Sequence, residues 1–180
     1  MSENGERRPF ARVTMTSPSF RGSHMPSFQL VGLPAEPFEP LFRLTDTELA
    51  ALGARRVIAS EHPGYPCRVS LLDAEAGEEL LLLSYAHHPV ASPYQASGPI
   101  YVRRGARQCV LPAGEIPDYV CRRLISARAY DAAHMMVAAK VCDGGDVRRH
   151  IEGFLLDGAV EYVHLHNAKR GCFSCLATRA

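Results

Sequence analysis

The apolar positions of this chain fall into short, strand-sized runs broken by proline and glycine, with only a few stretches at helical spacing. Phe28 to Leu33 is the first run, closed by Pro34 and Pro37. Thr45 and Glu48 stand at capping-box spacing and open a short helix through Leu49 and Leu52, which Gly53 stops. Arg55 to Ser60 is β-like, and Pro63-Gly64-Tyr65-Pro66 is a turn. Arg68 to Leu72 and Glu79 to Tyr85 read as two strands of a hairpin joined by the acidic stretch Asp73 to Glu78. His87 to Pro99, rich in proline and serine, reads as an ordered loop or lid, followed by a strand from Ile100 to Arg103. Pro117 suits the first position of a helix over Asp118 to Leu124. Ile125 to Ala129 and Met135 to Val141 look extended. The clearest helix starts at Asp146, carries Val147, Ile151, Phe154 and Leu155 on one face, and ends at Gly158. Val160 to Asn167 and Cys172 to Thr178 close the chain as a hairpin. Strands outnumber helices, and hairpins outnumber βαβ crossovers. The predicted fold is therefore α+β, a mainly antiparallel sheet with a few short helices packed on one face.

Composition narrows the function. At 180 residues the chain fits one domain. Residues 1–24 lack apolar periodicity and are set apart as a disordered arm or a vector-derived extension, Gly22-Ser23-His24-Met25 matching a common cloning remnant; residues 25–180 form the single domain. The net charge is +1, and without the arm 16 basic and 17 acidic residues remain, a net of −1. A partner bound through its phosphate backbone calls for a basic excess, so nucleic acid is not expected. No apolar run approaches a membrane span, Leu80 to Leu83 being strand-sized, and no apolar signal segment is present, so neither a membrane nor export is expected. The six scattered cysteines read as reduced thiols of a soluble cytoplasmic protein.

Three blocks carry a likeness. Pro63-Gly64-Tyr65-Pro66-Cys67-Arg68-Val69-Ser70-Leu71 is the first. The second combines His88-Pro89, Ser92-Pro93-Tyr94 and Gly98-Pro99-Ile100-Tyr101-Val102-Arg103. The third is His166-Asn167-Ala168-Lys169-Arg170-Gly171-Cys172-Phe173. In order and spacing they resemble a bacterial family known as domain of unknown function 1203, from about Met25 to the C-terminus. The resemblance implies a small stand-alone bacterial protein and implies no activity. Cys175 lies outside the pattern, which weakens any mechanism needing a CxxC pair.

The candidate chemistry starts at the last hairpin. With Ala168 to Gly171 as its loop, Asn167 pairs with Cys172, His166 with Phe173, Leu165 with Ser174 and His164 with Cys175. Unbroken alternation puts Val163, Leu165, Asn167, Cys172, Ser174 and Leu176 on one face, an apolar stem with a polar tip that suits a core ending in a pocket. The other face takes Tyr162, His164, His166, Phe173 and Cys175. There His164, His166 and Cys175 offer ligands to a soft divalent metal, although such histidines are more often simply solvated. Cys172 and Cys175, three apart on a strand, point to opposite faces and read as ordinary small residues rather than a redox pair. His87 and His88 are adjacent and should point in different directions; His88 is the candidate for proton transfer. Cys67 stands beside Arg68, and a neighbouring cation favours a nucleophilic thiol, although a space-filling cysteine is commoner. Lys169, Arg170, Arg103 and Arg104 offer donors to a carboxylate or phosphate. No phosphate loop, nucleophile elbow or metalloprotease spacing occurs.

These residues define one expected pocket. Cys67, His88 and Cys172 are the candidate catalytic groups, and Arg68, Tyr94, Arg103, Asn167 and Lys169 the ligand-binding ones. The reading is an enzyme or binding protein for an anionic small molecule, with no particular cofactor implied. The alternatives are a non-catalytic interaction module, or a metal or redox sensor built on His164, His166 and Cys175.

Overall fold

A computed structural model describes residues 27–180. The arm expected over residues 1–24 lies outside the described residues. The strands form two antiparallel sheets. The larger, in the order β1-β8-β7-β5-β6, contains β1 (Phe28–Val31), β5 (Leu124–Tyr130), β6 (Met136–Asp143), β7 (Tyr162–Asn167) and β8 (Phe173–Arg179). The smaller, β2-β3-β4, contains β2 (Arg55–Ile58), β3 (Glu79–His88) and β4 (Ala96–Arg103). The α+β class and the antiparallel pairing agree with the sequence pattern.

The short helices divide between the sheets instead of gathering on one. Helix α1 (Asp46–Ala51) carries the full capping box, with Thr45 Oγ1 accepting from the Glu48 N–H, and buries Leu49 in the core of the smaller sheet. Helices α2 (Asp118–Cys121) and α3 (Val147–Leu155) bury Tyr119, Val120, Val147, Ile151 and Leu155 against Ile125, Ala127, Val163 and Leu165 of the larger sheet. Pro117 is the N-cap of α2 and not its first helical residue.

Two segments depart from the expected strands. The hairpin partner of β3 is β4, and the intervening loop shrinks to residues 89–95 because β3 runs on to His88. Arg68 to Leu72 is no strand but part of a buried turn, closed by a bridge between Pro66 and Asp73 and by the Cys67 N–H donating to Leu72 O at 2.8 Å. Its alternating apolar residues imitate a strand because they face two different cores. Cys67 and Val69 enter that of the smaller sheet, and Leu71 enters that of the larger. Leu71 adopts φ +54°, a left-handed conformation costly for a branched residue and held here by complete burial. Gly32 lets the turn approach: a Cβ there would lie 2.0 Å from Val69 O.

Candidate functional site

The turn places Arg68 between the sheets. Its side chain is only 2% exposed. Its backbone N–H donates to Tyr101 O on β4 at 2.9 Å, while its Nε donates to Phe173 O on β8 at 2.8 Å. One Nη donates to Pro66 O and the other to Cys172 Sγ at 3.3 Å. Every partner is a carbonyl oxygen or a sulfur. Among the described residues no carboxylate pairs with this guanidinium, although a buried cation ordinarily requires one.

Around Arg68 lies a cavity of about 300 Å³. Arg122 and Arg123 enter from the end of α2, Lys169 and Arg170 from the β7–β8 tip, and Tyr101, Asn167 and Cys172 complete the polar wall. Among the described residues five cationic side chains line it and no acidic one does. Asp73, its side chain wholly buried, accepts from Arg123 Nη2 at 2.9 Å and lies 3.9 Å from Arg122; among the described residues the other three cations have no carboxylate partner. The tip conforms to local chemistry. Gly171 takes φ +75° and its N–H donates to Asn167 O at 2.7 Å, while the Asn167 N–H donates to Cys172 O at 3.0 Å. Asn167 Nδ2 then donates to Cys172 Sγ at 3.2 Å, and its Oδ1 is buried with no partner.

A second polar region occupies the opposite face of the larger sheet. Tyr162, His164 and His166 project from β7, Tyr130 and Arg128 from β5, and Phe173 from β8. The end of β3 folds over them. Between Tyr85 and His88, two residues of β3 stand against one of β4, and this bulge turns both imidazoles toward His164, correcting the expectation that they diverge. His87 stacks on Phe173 at 5.1 Å, and the His88 ring lies 4.9 Å from that of His164.

The hydrogen bonds of His88 fix its tautomer. Tyr94 O only accepts, so Nδ1–H of His88 donates to it at 2.7 Å. In the neutral ring Nε2 therefore accepts from the Tyr162 hydroxyl at 2.7 Å, and Tyr162 oxygen accepts in turn from His134 Nδ1–H at 2.9 Å. Burial pushes Tyr162 up to about 12, keeping it a donor. Burial, reinforced by the neighbouring imidazoles and Arg128, pushes His164 down to about 3. His166 is pushed down to about 4, again chiefly by burial. His166 Nδ1–H donates to Gly171 O at 3.0 Å, leaving its Nε2 without a partner, as is Nδ1 of His87 and of His164. A cavity of about 410 Å³ borders His87, His88, His134, Tyr162 and His164.

The single expected pocket thus resolves into two. Arg68, Asn167, Lys169 and Cys172 meet in the basic cavity. His88 and Tyr94 meet in the imidazole region, Tyr94 through its backbone. Cys67 is fully buried in the core of the smaller sheet, its sulfur accepting from the Arg103 N–H at 3.3 Å. Arg103 pairs with Glu78 at 2.7 Å and joins neither cavity. The proposed ligand set His164, His166 and Cys175 does not share a face. His166 pairs with Phe173 as expected, but a bulge follows and sets Cys175 opposite Leu165, so the thiol turns into the core, where burial pushes it up to about 11. Among the described residues no group of three or more His, Cys, Asp or Glu side chains is arranged to hold a metal ion. Nor is any described helix long and apolar enough to cross a membrane. The residues the sequence reading missed are Arg122, Arg123 and His134; Tyr162 was placed beside His164 and His166 but given no role. The adjacent arginines at the end of a short helix were the one available signal.

No curated protein and no solved structure matches the chain. A family model does, over residues 64–179, a span that takes in the buried turn, both cavities and the last hairpin. The chain belongs to the family described as "Protein of unknown function (DUF1203)".

Proposed function

We propose that the protein binds a small anionic molecule in the basic cavity. One observation carries the reading: the buried guanidinium of Arg68, hydrogen-bonded only to neutral acceptors, in a cavity lined by four further cationic side chains and no acidic one. Burying a cation without a counter-charge is costly, and an anion offering oxygen acceptors would offset that cost. Lys169 and Arg170, exposed at the hairpin tip, would attract the ligand, and Arg122 and Arg123 would flank it. The volume of about 300 Å³ suits a metabolite-sized ligand better than a polymer, which supports a small-molecule partner over nucleic acid. The six free cysteines support action in a reducing compartment, the cytoplasm.

The test is thermal unfolding with citrate or inorganic phosphate against sodium chloride of equal ionic strength. Saturating anion should raise the midpoint by about 5 °C or more, and Lys169→Ala/Arg170→Ala should abolish most of that rise. An equal response to chloride would overturn the reading.

A further inference from the structure

Among the described residues the sulfur of Cys172 is placed unlike any other. It accepts from Arg68 Nη2 at 3.3 Å and from Asn167 Nδ2 at 3.2 Å, and it lines the basic cavity. Two N–H donors converging on one sulfur favour electron density there over a third donor, and one of them belongs to a buried cation that has no carboxylate. A second feature points to a guest. Asn167 is 8% exposed and lines the same cavity, yet its Oδ1 has no hydrogen-bond partner. The other cysteines differ in kind. Cys67 and Cys175 are sealed in the two cores, Cys109 and Cys142 are held against ionisation by burial, and Cys121 lies outside the cavity lining.

We infer that Cys172 is a nucleophile and that its cavity selects small anionic electrophiles, a reading that rests on the anion-binding proposal and adds a covalent step to it. The charged end of the substrate lies against Lys169, Arg170 and Arg122, while its electrophilic atom faces Cys172. The sulfur lone pair attacks that atom, a bond from sulfur forms, and the leaving group departs with the electron pair of the broken bond. The thiol proton, where present at the start, passes to solvent. Arg68 and Asn167 position the sulfur for the attack.

Matched alkylating reagents test both halves. Iodoacetate and iodoacetamide transfer the same carbon and release the same iodide, but only iodoacetate is anionic. Alkylation of Cys172 is followed by peptide mass spectrometry in the folded chain and, as reference, in the urea-unfolded chain. The iodoacetate-to-iodoacetamide rate ratio at Cys172 should be about tenfold higher when folded, and should fall toward the unfolded value in about 0.5 M salt or in Lys169→Ala/Arg170→Ala. Asn167→Ala should slow both reagents while leaving their ratio high. Arg68→Met should slow both more strongly; if that variant fails to fold, the tip variant and Asn167→Ala still decide the matter. Anion-dependent stabilisation with Cys172 no faster in the folded than in the unfolded chain would overturn the nucleophile and leave the binding proposal standing. Fast alkylation of folded Cys172 with no preference for iodoacetate would overturn anion selection and, with it, the binding proposal.

Discussion

His166 and Asn167 are neighbours on β7, yet they belong to regions that handle polar burial in opposite ways. On the Asn167 side the protein buries a permanent charge whose side-chain hydrogen bonds go to carbonyl oxygens and a sulfur, with no carboxylate set against it among the described residues. On the His166 side it buries groups able to shed their charge, and burial holds them neutral with ring nitrogens left unpaired. An arginine cannot escape desolvation by losing a proton, whereas an imidazole can. The first arrangement invites an anion. The second resists a proton, and pays for it in stability at low pH.

That contrast breaks most visibly under acid. His164 and His166 are lowered from 6.5 in the folded chain to about 3 and about 4, so the unfolded chain binds protons first as pH falls. Stability from these groups is complete above pH 6.5 and drains away as pH drops from there toward 4 and 3, at up to about 1.4 kcal/mol per pH unit for each group. Urea unfolding near pH 4.5 should show a loss on the order of 3–5 kcal/mol relative to pH 7. His164→Asn should flatten that slope; an unchanged slope would show that the carboxylates alone set the acid response.

A smaller effect sharpens the imidazole side. Tyr162→Phe removes the hydroxyl that donates to His88 Nε2 and accepts from His134. Leaving a buried ring nitrogen unpaired should cost about 1–2 kcal/mol in denaturant melts. The smallest effect belongs to the basic side. Lys169→Ala and Arg170→Ala, both exposed, should each change stability by less than about 0.5 kcal/mol while weakening anion binding. A larger destabilisation would mean that the tip charges hold the fold.

What was legible in the sequence was local. The capping box of Thr45 and Glu48, the apolar stripe of α3 and the last hairpin with its Ala168–Gly171 tip are each written in a few adjacent residues, and each formed. Of the eight residues expected to share one pocket, Arg68, Asn167, Lys169 and Cys172 line one cavity, while Cys67, His88, Tyr94 and Arg103 lie elsewhere. The failures came from one-residue irregularities that periodicity cannot reveal. Ser174 interrupts β8 and sends Cys175 to the core; an extra residue in β3 brings His87 and His88 to the same neighbour. Val69 and Leu71 alternate like a strand because two cores, not one, receive them. Arg122 and Arg123 reach the cavity of Arg68 only through tertiary packing.

The turn that carries Arg68 ties the two sheets into one mechanical unit. Its backbone is bonded to β4, its guanidinium to β8, and its apolar side chains are anchored on both sides. Opening either sheet would therefore withdraw an anchor from the other. An anion bound at Arg68 as proposed would act as a bolt across this joint. Its occupancy should slow amide hydrogen exchange in β4 and β8 together, although the two strands belong to different sheets.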